Sequence, residues 1–415
     1  GLPAGLPAGL PAGLPAGLPA GLPAFRTRKN VIVLALCQAL FMTGTSLVIT
    51  VTALAGNVLA EAKSLATLPL ALQFLVTMAT TIPASLLMKR IGRRLGFITG
   101  ALIGAAGGFL SVHALFAESF ILFCIGSGLI GVLNGFAMFY RFAAADAADE
   151  ALRSRAISLV MAGGVIAAFA GPNLAKFSKD FFDVVTFAGS YGALALLQGF
   201  TILLLMFIDI PKPGEGERRA SGRPLSRIMR QPTFVVAALA AMTGYGAMSL
   251  IMTATPLAMV DHDYPFADAA FVVQWHVFCM FAPSFFTGHL INRFGVLEII
   301  IFGGVLMLAC VGINLAGRGL FHFLSALALL GVGWNFLFIG ATTLLSTAHS
   351  APEKAKTQGF NDFLVFACVA LASLSSGAIQ NGFGWEMVNY GILPFILSAL
   401  AATFWLRLKR PALAA

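Results

Sequence analysis

Two ionisable side chains lie inside apolar stretches of this sequence, and each can exchange a proton. His276 lies in Val273-Gln-Trp-His-Val-Phe, and Asp362 ends Gln358-Gly-Phe-Asn-Asp. A charge at the centre of a membrane helix costs about 2.5–3.5 kcal/mol on insertion scales, so such residues are functional candidates by default. His276 has an ordinary pKa near neutrality and can couple protons or contact a solute. It can equally be a neutral ring bonded to a neighbouring helix. Asp362 is either a protonatable embedded carboxylate or the partner of Lys356 or another base near a helix mouth. Arg141, after Tyr140, either faces a cavity and attracts an anionic group, or snorkels and pairs with Asp146. Trp334-Asn335 offers an aromatic face and an amide that needs partners. Gln38, Asn134 and Tyr245 are polar residues of the same kind, each within an apolar run.

Other chemistries find little support. No Gly-x-x-x-x-Gly-Lys-Ser/Thr loop is present to cradle a nucleotide. No His-x-x-x-His or carboxylate cluster occurs inside an apolar run, so a membrane-embedded enzyme is disfavoured, and no cofactor or metal is expected. Asp261-His-Asp-Tyr264 has metal-like residue types, but it reads as an exposed turn. The five cysteines (Cys37, Cys124, Cys279, Cys310 and Cys368) lack paired spacing and read as small core hydrophobes.

These candidates need elements that hold polar groups within lipid. The 415 residues are 59% hydrophobic and 10% charged, with mean hydropathy +0.90. Soluble domains carry roughly 25% charged residues, so this chain must turn much of its surface to lipid. A spanning helix takes about 20 apolar residues. Segments of that kind fall at 31–55, 64–88, 96–116, 119–143, 155–175, 183–208, 233–260, 269–291, 296–316, 320–346, 358–380 and 386–407. The domains are therefore a tail over 1–24, a six-helix bundle over 25–208, a linker over 209–232, a second bundle over 233–410 and a tail over 411–415. Residues 1–24 are six Gly-Leu-Pro-Ala repeats, where proline every fourth residue opposes a helix.

Orientation follows from Lys and Arg, which favour cytoplasmic loops. With both termini cytoplasmic, only Lys63, Lys176, Lys179 and Arg318 of the 26 Lys and Arg fall on the outer side. The net charge of +9 is thus explained by a membrane rather than by nucleic acid. The halves also repeat. Ser85-Leu-Leu-Met-Lys-Arg-Ile-Gly-Arg-Arg94 aligns with Gly288-His-Leu-Ile-Asn-Arg-Phe-Gly-Val-Leu297. Leu87, Arg90 and Gly92 fall on Leu290, Arg293 and Gly295. Glu150-Ala-Leu-Arg-Ser-Arg155 and Glu353-Lys-Ala-Lys356 form a second matched pair of loops.

On these residues the chain resembles the major facilitator superfamily over 25–410. The family's turn reads Gly-x-Leu-x-Asp-Arg-x-Gly-Arg-Arg. Leu87, Arg90, Gly92, Arg93 and Arg94 match it, as do Gly288, Leu290, Arg293 and Gly295, while Lys89 and Asn292 replace the acid. The resemblance implies an all-α membrane protein of twelve spans in two pseudo-symmetric six-helix bundles. It also implies a gating role for the turns and a cavity lined by helices 1, 4, 7 and 10. Gly171-Pro172 is similar to a helix-5 motif of proton-driven antiporters, though Ala175 and Lys176 stand where its glycine pair belongs; a packing seam is the other reading. Gly244 and Gly246 around Tyr245, with Pro256 beyond, predict a bent or unwound seventh helix.

The implied activity is secondary transport by alternating access in a bacterial inner membrane, coupled to protons, by a monomer. The solute is expected to be small, organic and partly apolar, held by Gln38, Asn134, Tyr140, Arg141, Tyr245, Trp334 and Asn335. His276 and Asp362 would carry the proton. Arg90, Gly92, Arg93, Arg94, Arg293, Gly295, Gly171 and Pro172 would serve gating. Family frequency favours export. The alternative is uptake of an aromatic nutrient such as a flavin-type vitamin, and a non-transporting receptor is a third class.

Overall fold

Among the described residues, eleven helices are long and apolar enough to cross a membrane, and one bent pair makes a twelfth span. The computed structural model describes residues 21–61, 65, 68–210 and 222–409. Most of the repeat tail, Lys63, Lys212, Arg218, Arg219, Arg410 and the last five residues lie outside these. The spans are α1 Thr27–Leu59, α2 Leu68–Ile91, α3 Arg93–Phe116, α4 Phe120–Ala147, α5 Glu150–Ser178 and α6 Ala188–Leu205. After the linker come α7 Pro232–Asp261, α8 as the bent pair Asp268–Phe281 and Ser284–Phe294, α9 Val296–Ala316 and α10 Leu320–Leu345. The last two are α11 Ala351–Gln380 and α12 Gly382–Lys409. Large apolar side chains such as Phe109, Ile121, Phe200, Phe321 and Leu371 are exposed on the outer faces, as a lipid-facing surface requires.

The first helix begins at Gly21, inside the repeat tail set apart above. Pro23 falls in its first turn, where no backbone N–H has an intrahelical partner to lose. The predicted bending or unwinding of α7 is corrected in part: Pro232–Asp261 runs as one uninterrupted helix, with Pro256 inside it. The bent helix is α8, which turns by 42° around Ala282-Pro283. Proline there has no N–H to continue the ladder.

The duplication is visible in the backbone. Gly92 joins α2 to α3 with φ 91° and ψ 162°, and Gly295 joins α8 to α9 with φ 94° and ψ 152°. A residue with a Cβ is strained at such positive φ, so the conserved spacing of the two turns has a steric cause. At both matched loops a 3-10 turn leads directly into a helix, with Glu150 opening the first turn (Glu150–Leu152) and Glu353 closing the second (Ala351–Glu353). In both halves a reciprocal glycine pair lets neighbouring helices touch. A Cβ on Gly107 would meet Gly126 O at 2.9 Å, and one on Gly303 would meet Gly333 O at 3.0 Å.

The described end of the linker is fastened to the second half. Arg223 Nε and Nη2 donate to the two carboxylate oxygens of Glu353 at 2.7 and 2.6 Å, and the Arg223 backbone N–H adds a bond of 2.8 Å. Lys356 donates to Arg223 O. Glu353 is buried and also closes a capping box with Ser350 at the start of α11.

Candidate functional site

The halves meet at a small central cavity of about 10 Å³, room for about one water. From the first half Gln38 and Met42 on α1, Met138 and Arg141 on α4 and Met161 on α5 line it. Tyr245 on α7 and Phe338 on α10 face them from the second. Helices 1, 4, 7 and 10 supply six of the seven lining residues, and α5 supplies the seventh. The cavity is far smaller than the roughly 300–1,000 Å³ of ordinary small-molecule pockets, so a ring system enters only if the halves separate.

An ion pair between the halves dominates this space. α4 is interrupted at Met138-Phe139, and Arg141 Nη1 donates to Met138 O at that interruption, 2.6 Å away. Its Nε donates to Thr342 Oγ1 of α10 at 3.2 Å, and Nη2 donates to Asp362 Oδ1 of α11 at 2.5 Å. The two side chains are 3% and 0% exposed. Phe142 and Phe338 cover the guanidinium, with ring centroids 4.4 and 4.5 Å from it. Asn361 Nδ2 donates to the same Asp362 oxygen at 3.0 Å, while Asp362 Oδ2 has no partner among the described residues. Arg141 therefore neither snorkels nor pairs with Asp146, and Asp362 is held by Arg141 across the molecule rather than by Lys356. The sequence placed both residues within reach of nearer charges. It carried no signal that α4 and α11 meet.

An aromatic cluster adjoins the pair. The Tyr245 ring lies 5.2 Å from Trp334, 4.8 Å from Phe338 and 5.8 Å from Phe366. Trp334 stacks on Phe338 at 5.2 Å and meets Phe281 edge-on at 5.5 Å. It is fully buried, so Tyr245 and Phe338 present the aromatic faces to the space and Trp334 backs them.

The remaining candidates fall elsewhere. Asn335 is a staple at the α8 bend: Nδ2 donates to Met280 O and Ser284 Oγ at 2.6 Å each, and Oδ1 accepts from Thr287 at 2.7 Å. Its amide is spent on one backbone carbonyl and two hydroxyl groups around the Pro283 break. His276 Nδ1 lies 2.8 Å from Leu327 O of α10. A carbonyl only accepts, so Nδ1 carries the proton and the ring is a tie within the second half. Tyr140 packs between Phe41 and Phe97 within the first half, and Asn134 is buried outside the lining. Gly171 is a packing seam, because a Cβ there would meet Ser46 Cβ of α1 at 2.4 Å, while the neighbouring Pro172 is exposed. Near the Asp261–Tyr264 turn, Arg318 bonds His262 at 2.9 Å and pairs with Glu386. Among the described residues no group of three His, Cys, Asp or Glu is placed to hold a metal.

A second assembly closes the basic end of the bundle. Arg93 Nη2 donates to Asp146 Oδ2 at 3.1 Å and to Gln358 Oε1 at 2.7 Å. Lys354 reaches the other Asp146 oxygen at 3.1 Å. Arg93 and Asp146 belong to the first half and Gln358 and Lys354 to the second, so the network bridges them. Small-residue seams flank it. Ser85 Oγ donates to Ala355 O at 2.6 Å, and a Cβ on Gly359 would sit 3.0 Å from Ser85 Cβ. On the other side Gly288 N donates to Ser158 Oγ at 3.0 Å, Ser154 bonds Asn292, and Asn292 Nδ2 donates to Ala151 O at 2.8 Å. Ser85 and Gly288, the matched first residues of the repeated turn, both meet the opposite half. Arg90, Arg94 and Arg293 are exposed and stand apart from these contacts. Such long basic side chains extend outward because water or headgroups solvate them better than a helix interface does.

His349, between α10 and α11, lies against this network, with Nε2 3.4 Å from Gln358. Burial pushes its pKa down to about 4, against the opposing pull of Asp146; Lys354 and Arg93 are its other charged neighbours. A depressed imidazole pKa means that the closed form binds fewer protons than an open or unfolded one, in which the ring titrates near 6.5. Stability of the closure is therefore full above about 6.5 and declines as pH falls toward about 4. The alkylation rate of a cysteine placed at Gln358, divided at each pH by the rate of the same cysteine in the unfolded chain, is expected to rise as pH falls over that window, and His349→Gln is expected to flatten the dependence. An equal slope in both proteins would refute this.

With this geometry in view, the comparisons are informative. The model of the Major Facilitator Superfamily matches residues 34–346. The riboflavin transporter RfnT of Brucella anthropi is 40% identical over 388 residues, which cover 93% of this chain and 97% of that one. The uncharacterized MFS-type transporter YdeG of Bacillus subtilis is 27% identical, covering 89% of this chain and 90% of that one. Among solved structures, the E. coli fucose:proton symporter FucP superposes with a TM-score of 0.71 at 18% identity, covering 90% of this chain and 98% of that one.

Proposed function

The chain belongs to the major facilitator superfamily and is a membrane transporter; from that premise we propose that it carries a flavin-class vitamin inward by proton-coupled alternating access. The observation that carries this reading is the central space, where the Tyr245 and Phe338 rings stand beside the Arg141–Asp362 pair. Aromatic faces suit a planar ring system, and Gln38 adds hydrogen bonding for a polar tail. The strong similarity to a riboflavin transporter supplies the substrate class. Export, which family frequency favours, has no feature of this site behind it.

The basic end is assigned to the cytoplasm by the positive-inside rule, with both termini there and the single chain as the working unit. The network of Arg93, Asp146, Lys354 and Gln358 then shuts the cytoplasmic side. Solute reaches the central site from outside. Asp362 is the proton carrier in this reading, while His276 holds α8 to α10. A proton on Asp362 neutralises the partner of Arg141, which weakens a tie between α4 and α11 and lets the halves rock. The order is solute first, onto the intact pair, and proton second.

Uptake of radiolabelled riboflavin into proteoliposomes with an alkaline lumen tests this. Accumulation that collapses when a protonophore is added is the expected result. Efflux under the same gradient, or no riboflavin flux from active protein, would reject the direction or the substrate respectively.

A further inference from the structure

We infer that Asp362 sets the charge of the solute this site accepts: by neutralising Arg141 it admits a neutral flavin and excludes the phosphorylated one. The inference rests on the flavin reading above. Among the described residues that line the space, Arg141 is the only charged one, and the others are amide, thioether, phenol and phenyl groups. Its cation is already committed. Asp362 Oδ1 takes Nη2 at 2.5 Å, Thr342 takes Nε, Met138 O takes Nη1, and two phenyl rings cover the guanidinium.

A 5′-phosphate ester brings a charge of about −1.5 to −2 at neutral pH. Beside side chains this buried, that charge needs a counter-cation. The only one at hand is Arg141, and taking it would strand the Asp362 carboxylate, itself fully buried, without its partner. A neutral ring with a hydroxylated tail needs no such exchange. The discrimination therefore comes from the penalty imposed on the wrong solute. It also predicts a gain. With asparagine at position 362 the cation of Arg141 has no counter-charge, and an anionic tail becomes the group that supplies one.

Equilibrium competition against radiolabelled riboflavin on the purified full chain, at constant ionic strength, tests this. The competitors are riboflavin, its 5′-phosphate, and its neutral 5′-acetate as a control for bulk. In the native protein the acetate should compete much as riboflavin does, and the phosphate at least about thirtyfold more weakly. Asp362→Asn should narrow the phosphate penalty by about tenfold or more. The double variant Arg141→Gln/Asp362→Asn, which is neutral again, should restore the penalty. Equal binding of phosphate and acetate by the native protein overturns the inference whatever the variants do. So does an unchanged ratio in a folded Asp362→Asn protein. If Asp362→Asn does not fold, Asp362→Ser, which also removes the carboxylate, is read against the same threshold. If the native protein does not bind riboflavin at all, the flavin reading fails and this inference falls with it; riboflavin binding without discrimination removes only the inference.

Discussion

Asp362→Ala and Arg141→Ala are each expected to destabilise the protein by about 3–5 kcal/mol and to abolish gradient-driven transport, because each leaves one buried charge uncompensated. The pair is 2.5 Å apart, with both members essentially sealed from solvent. Removing either therefore exposes the other to the full desolvation penalty. The double variant Arg141→Met/Asp362→Leu should recover most of the lost stability, since it buries no charge, yet it should remain inactive. Thermal unfolding in detergent and proteoliposome uptake measure the two effects separately. Single variants that unfold like the native protein would mean that the pair is solvated in the working molecule. A double variant that transports normally would remove Asp362 from the coupling scheme.

The second large effect is steric. A Cβ on Gly288 would lie 2.6 Å from Arg155 Cα and 2.7 Å from Ser154 O. These are backbone atoms, so no rotamer change relieves the clash, and α5 and α8 must move apart. Gly288→Leu should therefore leave each half folded while holding the basic end open. Transport should fall by at least about a hundredfold, because the cycle cannot pass a conformational step that is blocked. A cysteine at Gln358, buried in the native protein, should become reactive toward alkylating reagents. Gly312, with open space where its Cβ would be, provides the control: Gly312→Leu should change neither reading. Normal transport by Gly288→Leu would show that this seam is not part of the working closure.

The architecture was legible in the sequence because lipid imposes strong rules. Every backbone polar group in a bilayer must be satisfied within its own segment, so a run of about 20 apolar residues is a helix almost by necessity. The repeated turn was legible because its steric demand is local. Gly92 and Gly295 need the same unusual φ whatever surrounds them. The first helix was misjudged at its start, since a proline's cost depends on which turn it occupies. The unwinding expected of α7 is not found, as Gly244 and Gly246 pack closely against Leu337 and Cys368 within one continuous helix.

The site was only partly legible. Depth in the membrane singled out Arg141, Asp362, Tyr245 and Gln38 within a pool of candidates, and the structure brings these four together between the halves. It could not separate them from Asn335 and His276, which are equally polar and equally deep but spend their hydrogen bonds inside one half. Composition, segment count and repeat thus belong to the sequence, since each depends on residues within one helix or one turn. Which residues face one another across the two halves was decided by the tertiary structure alone. The Arg141–Asp362 contact joins positions more than two hundred residues apart, and no local pattern encodes the rotation of α4 or α11 that brings the two charges together.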